Sequence, residues 1–192
     1  MDLHDLVVGG KEEGRERKDG SHRQPRDERR VWLLGPAVLG MRQPGVRVAP
    51  LHQEDLRAAL PLFAGYQRFY EAEPDDAANL PFFRRFVAPS DDGLLLGAWV
   101  GDDLVGFACL YWMFSSTHAA EIALMNDLFV AEGQRGKGIG SALIEAAVDA
   151  ARERGMRHLE WLTAVDNHRA QRLYERTEAT RSAWYGYEIR VR

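Results

Sequence analysis

Two short stretches of this chain carry residue types and spacings that can do chemistry. The first is Arg135-Gly136-Lys137-Gly138-Ile139-Gly140. It follows an apolar, strand-like run at 124–130 and opens a segment of strong helical character at 141–154. Glycines permit a sharp turn and a close approach of backbone to ligand. The first N–H groups of a helix have no partner within it and point outward at the positive end of the dipole. A glycine turn feeding such a helix is therefore a site for phosphate. Spacing narrows the choice. A P-loop needs Ser or Thr directly after its lysine, and Lys137 is followed by Gly138. The dinucleotide fingerprint needs G-x-G-x-x-G within a βαβ unit. Here the glycines fall as G-x-G-x-G, with no N-terminal βαβ pattern before them.

The second stretch is Asn167-His168-Arg169-Ala170-Gln171-Arg172-Leu173-Tyr174. At helical pitch Asn167 and Tyr174 share one face, two turns apart. Asn167 also suits a helix N-cap. Ala170, Leu173, Tyr174 and Thr177 have the spacing of an ordinary apolar stripe. A strand-like run at 158–164 separates the two stretches.

Together they resemble the GCN5-related N-acetyltransferase (GNAT) family. The loop fits [QR]-x-x-G-x-[GA], with Arg135 first, Gly138 fourth and Gly140 sixth, and the downstream run fits N-x-x-A-x-x-[LF]-Y. The resemblance extends from about Val46 to the C-terminus. It implies an α/β (α+β) GNAT fold, a mixed twisted sheet of about six to seven strands with helices on both faces. It implies acetyl-CoA as acetyl donor, no metal, and transfer to a primary amine by direct attack in a ternary complex. On this resemblance Arg135, Gly136, Lys137, Gly138, Ile139, Gly140 and Ser141 hold the diphosphate. The backbone of Leu128, Phe129 and Val130 holds the pantetheine arm, in a gap between the 124–130 and 158–164 strands. Asn167 and Ala170 complete the cofactor wall. Tyr174 protonates the leaving thiolate or hydrogen-bonds to it.

The acceptor side is less defined. Asp127, Glu121 and Glu160 are candidate general bases. Asn126-Asp127 stands where spermidine/spermine acetyltransferases carry Glu-Asp, and looks like the small polyamine/histone acetyltransferase branch. Asn126, Trp112 and Phe114 are the expected acceptor-site residues, among aromatic side chains whose faces attract cations. The acceptor is expected to be a small amine, a polyamine or an amino acid. A protein lysine or N-terminus is the rival within the enzyme class. A non-catalytic acyl-CoA sensor is the rival outside it.

Composition fits these readings. The chain has 192 residues, 45% of them hydrophobic, and a net charge of −4. That supports one domain with a real core and gives no basic groove for nucleic acid. Cys109, the one cysteine, lies in an apolar run and reads as a buried thiol, so no disulfide framework forms. No His/Cys metal spacing occurs, and no run is long enough to span a membrane. Arg29-Arg30 precedes an apolar run at 31–41, but Gly35 and Pro36 interrupt it. An acetyl-CoA-dependent enzyme is expected in the cytoplasm.

Residues 1–44 read as a disordered or loosely attached extension. Charges of both signs mix there with Gly, Ser and Pro, without apolar period. Met41 leaves a second start open beside Met1. In the domain, residues 45–192, the pattern predicts a strand at 46–49, then a helix at 53–70 kinked or broken at Pro61. A helix at 79–87 follows, then a hairpin of 94–100 and 104–114. Next come a strand at 121–130, the 141–154 helix capped by Gly155, the 158–164 strand and a helix at 167–176. A last strand at 183–191, bearing Trp184, Tyr185 and Tyr187, is expected to pair across a homodimer interface.

Overall fold

The computed structural model describes residues 45–191. The expected extension at 1–44 lies outside the described residues. The chain runs β1 (Val46–Pro50), α1 (Leu56–Phe69), α2 (Asp76–Arg84), β2 (Gly93–Val100), β3 (Asp103–Ser115), β4 (Ala120–Val130), α3 (Ile139–Glu153), β5 (Leu159–Glu160) and α4 (His168–Tyr174). The strands form a five-stranded sheet in the order β1-β2-β3-β4-β5. Pairing is antiparallel through β4, and β5 joins β4 in parallel.

Strand alternation splits the core into two layers. Leu94, Leu96, Ala108 and Leu110 pack with Ile139, Leu143 and Ala147 of α3. Leu95, Trp99, Phe107 and Cys109 pack with Leu56 and Phe63 of α1 and Phe83 of α2. The helices thus cover both faces, as expected, and every β2 residue from Gly93 to Trp99 is buried. Covering both faces explains why these strands read as continuous apolar runs.

Several boundaries differ for identifiable reasons. The helix continues through Pro61 without a break. The buried face of Leu56, Ala59, Leu62 and Phe63 extends past the proline, and its burial outweighs one missing N–H bond. Next, α2 starts three residues early, because the Asp75 carboxylate accepts from the Ala77 and Ala78 amides at 2.9 and 3.3 Å. Only Leu159–Glu160 of the 158–164 run pairs.

The sheet has five strands rather than six or seven, because 183–191 is not a strand here. Tyr185, Tyr187, Ile189 and Val191 alternate as a strand face should, yet each is at least 87% exposed. Alternation reports a preference for a pleated, half-buried surface. It does not supply the neighbouring edge that a strand needs.

Candidate active site

The glycine loop follows β4 through one 3₁₀ turn, Glu132–Gln134. Gly136 and Gly138 both lie in the left-handed region, at φ 83° and 79°, which costs other residues about 1–2 kcal/mol. Gly138 is the N-cap of α3 and offers no side-chain cap. The leading amides of α3, at Ile139, Gly140 and Ser141, therefore face outward with the helix dipole behind them. A Cβ at Gly136 would meet nothing within 4 Å, so the front of the loop is open. Arg135 ties the loop to the strand end. Its Nε donates to the Val130 carbonyl at 3.0 Å, and its guanidinium lies 5.6 Å from the Phe129 ring centre.

One side of β4 is open as well. Its pairing with β5 covers Ala123↔Leu159 and Leu124↔Glu160 and goes no further. Beyond Leu124 the two strands part. A cavity of about 300 Å³ fills the gap. Its β4 wall is Met125, Asn126, Leu128, Phe129 and Val130, and its far wall is Trp161, Leu162 and α4. The glycine loop and the start of α3 form one end, and Tyr66 and Phe69 of α1 with Tyr70 just after it form the other lining.

Asn167 caps α4, its Oδ1 accepting from the Ala170 amide at 3.2 Å. This holds Ala170, Leu173 and Tyr174 toward the cavity. Tyr174 packs on Trp161, with ring centres 5.4 Å apart. Burial, with a smaller effect from Tyr70, pushes its hydroxyl up to about 12. Tyr174 is therefore neutral, with its proton in place, at any ordinary pH.

The cavity brings together Asn126, Leu128, Phe129, Val130, Arg135, Gly136, Gly138, Ile139, Gly140, Ser141, Asn167, Ala170 and Tyr174. Six expected residues lie elsewhere. Lys137 is exposed, and its Nζ donates to Gln134 Oε1 at 2.7 Å. Trp112 and Phe114 stand opposite Ala123 and Glu121, at the end of β4 away from the cavity. Trp112 packs under the Arg154 guanidinium, 4.9 Å from its ring, and Phe114 is 82% exposed. Strand length decides this: β3 runs on past the point where β4 turns its open side to the gap. Asp127 is buried behind the β4 wall, at 4% exposure. Glu121 and Glu160 are exposed and absent from the lining.

A bulge explains the position of Asp127. Cys109 pairs with Asp127 but Leu110 pairs with Met125, so Asn126 has no partner on β3. The extra residue reverses the alternation. Met125 stays on the α3 face, while Asp127 shares the α1 face with Cys109. Asn126 is left at the cavity, where its Nδ2 donates to Asp127 Oδ1 at 2.9 Å and to the Tyr111 hydroxyl at 3.2 Å. Burial raises the Asp127 carboxyl, against hydrogen bonds from Tyr66 and Asn126 that pull it down.

The lining also holds residues the sequence reading passed over, including Tyr66, Arg169 and Arg176. Tyr66 lies at i−3 and i−4 to Phe69 and Tyr70, so helical spacing alone groups the three. Arg169 and Arg176 add positive charge beside the loop's Arg135, which suits a phosphate-rich ligand.

Residues 56–178 match the model of the acetyltransferase (GNAT) family. The chain belongs to the GNAT family. It is 36% identical over 131 residues to the D-amino-acid N-acetyltransferase HPA3 of Saccharomyces cerevisiae, covering 66% of this chain and 80% of that one. It is 35% identical over 121 residues to the uncharacterized N-acetyltransferase YhfO of Bacillus subtilis, covering 63% and 80%. Its fold superposes on a ribosomal-protein-alanine N-acetyltransferase from Brucella melitensis with TM-score 0.65 and 28% identity, over 77% of this chain and 99% of that one. The GNAT chain is thus an N-acetyltransferase, of a family that uses acetyl-CoA as donor. Among the described residues, no cluster of three or more His, Cys, Asp or Glu could hold a metal ion. No helix there is long and apolar enough to cross a membrane.

Proposed function

We propose that this enzyme transfers the acetyl group of acetyl-CoA directly to the free primary amine of a small molecule, with both substrates bound together. One observation carries the reading. The cavity runs unbroken from the uncapped start of α3, past the open side of β4 and Tyr174, to the aromatic side chains of α1. The loop end fits a diphosphate, the β4 gap fits a narrow thioester arm, and the α1 end offers ring faces to a cation. Bound acetyl-CoA supplies the activated acyl group. The chain's amides hold its charge, Tyr174 meets the departing sulfur, and α1 receives the amine.

Thiol release from acetyl-CoA over a panel of polyamines, L- and D-amino acids and lysine peptides tests this. Similarity to HPA3, a D-amino-acid N-acetyltransferase, makes D-amino acids the first arm to run. Turnover is expected on a free amine or amino acid, and at least about tenfold less on peptide lysine. A preference for peptides would overturn the small-molecule assignment. Thioester binding without any turnover would favour a sensor.

The enzyme is also proposed to act in the cytoplasm, where its donor is held, and as a homodimer. The exposed apolar face of 183–191 supports the dimer, since a patch of this kind marks an interaction surface. Light scattering should give twice the chain mass of 21.7 kDa. Truncation after Ser182 should halve it. A monomer at micromolar concentration would remove the proposal.

A further inference from the structure

We infer that Tyr66 is a proton relay, carrying the acceptor's ammonium proton from the cavity to the buried carboxylate of Asp127. The inference rests on the amine-acetylating reading above. A reacting ammonium must lose a proton before its nitrogen can attack. Among the described residues lining the cavity there is no Asp, Glu, His or Cys. Asp127 follows the lining residue Asn126 and is buried one layer behind the wall.

Tyr66 belongs to both layers. It lines the cavity, its hydroxyl lies 3.4 Å from the Asn126 carbonyl, and it is close enough to the Asp127 carboxylate for each group to shift the other's titration. Its placement is built into the fold. A Cβ at Gly65 would come within 2.9 Å of the tip of the Phe129 ring, so glycine there lets that ring lie directly against α1. The bulge at Asn126 then turns Asp127 onto the face that α1 covers. Asn126 fixes the carboxylate's other contact at 2.9 Å.

The groups around Asp127 are Tyr66 from α1, Cys109 and Tyr111 from β3, and Asn126 beside it, with Tyr70 near Tyr66 and Arg85 near Tyr111. None of the described salt bridges involves Asp127. An unpaired, desolvated carboxylate favours its protonated form. Burial raises Tyr66, Tyr111 and Cys109 too, and the Asp127 charge adds to each. None of them competes with it as a base.

The step balances. The ammonium N–H bond breaks and its proton joins Tyr66 Oη, while the Tyr66 O–H proton passes to an Asp127 oxygen. Nitrogen keeps the electron pair, Tyr66 stays neutral, and an ammonium–carboxylate pair becomes two neutral groups. After product leaves, the proton returns by the same path to water in the emptied cavity.

The experiment compares wild type, Tyr66→Phe and Asp127→Asn across pH, with the best amine from the panel. Wild-type kcat/KM for amine should level off well below the amine's own pKa, because Asp127 takes the proton. Both variants should lose about 10²-fold at pH 7, and recover to within about threefold near pH 10, where free amine needs no base. Their KM for acetyl-CoA should not change. A merely structural role would lower activity at every pH alike, and would overturn the relay. So would wild-type kcat/KM in Tyr66→Phe at pH 7 with measured turnover, leaving the acetyltransferase reading intact. Absence of turnover in wild type would remove both.

Stability gives a readout independent of rate. Because folding raises the Asp127 pKa, the ionised carboxylate destabilises the fold above that pKa, and the effect vanishes below the unfolded value. Asp127→Asn should therefore raise Tm at pH 8, and the gain should disappear near pH 4. A lower Tm at pH 8 would mean Asp127 is held charged by partners, and would refute it as the proton acceptor.

Discussion

Gly138→Asp should abolish measurable acetyl-CoA binding by isothermal calorimetry while the protein stays folded. Two effects add. The residue at 138 sits at φ 79°, and a side chain there costs about 1–2 kcal/mol that glycine does not. A carboxylate at the N-cap then stands where diphosphate charge should go. It satisfies the outward amides of α3 itself and repels the ligand, for about 1–2 kcal/mol more. The sum, roughly 2–4 kcal/mol, weakens Kd about 30- to 1,000-fold at 1.4 kcal/mol per decade. Gly138→Ala isolates the conformational part and should weaken binding about tenfold. Lys137→Ala should change Kd by less than about threefold, because its Nζ is engaged by Gln134 and its side chain lies off the cavity wall. Native affinity in Gly138→Asp, at a native Tm, would remove the loop from the binding site. A larger loss in Lys137→Ala than in Gly138→Ala would shift the grip from main-chain amides to a side-chain charge.

What the sequence made legible was what local spacing determines. The glycines of the loop, the Asn167 cap and the stripe through Tyr174 depend on residues within two turns of one another, and all reach the cavity. The hairpin of β2 and β3 was legible for the same reason: a polar turn between two apolar runs. Non-local pairing was not. The β4 bulge depends on the register against β3, and only that register turns Asp127 inward behind Asn126. Trp112 and Phe114 looked suited to a cationic site by residue type, but which end of β3 meets the cavity is set by where β5 stops pairing. Tyr66 needed the packing of α1 on β4, where its ring meets Phe129 at 6.3 Å between centres, and spacing along α1 does not encode that. The 183–191 segment has the right alternation yet lies outside the sheet, because alternation does not say which edge, if any, a strand joins.

Tyr174→Phe should lower kcat by about 10- to 100-fold with the KM for acetyl-CoA nearly unchanged. The ring's packing on Trp161, 5.4 Å away, survives the change, so Tm should hold. The hydroxyl titrates at about 12, and an ordinary thiol near 8.5. Handing the proton outright to a thiolate is then uphill by about 3.5 units, or roughly 5 kcal/mol. Tyr174 therefore contributes a hydrogen bond to the growing negative charge on sulfur. Full transfer becomes feasible only as the acylated nitrogen, a far stronger acid by then, gives up its proton in the same event. A donor of this kind stays neutral and keeps its proton throughout the working range. The deficit of Tyr174→Phe should accordingly be the same at pH 6 and pH 10, whereas that of Tyr66→Phe should fade as free amine accumulates. The two tyrosines face one cavity, and the slope of their deficits against pH separates leaving-group stabilisation from deprotonation of the nucleophile. Parallel slopes would assign both hydroxyls to one step. An unaltered kcat in Tyr174→Phe would return that residue to the apolar stripe of α4.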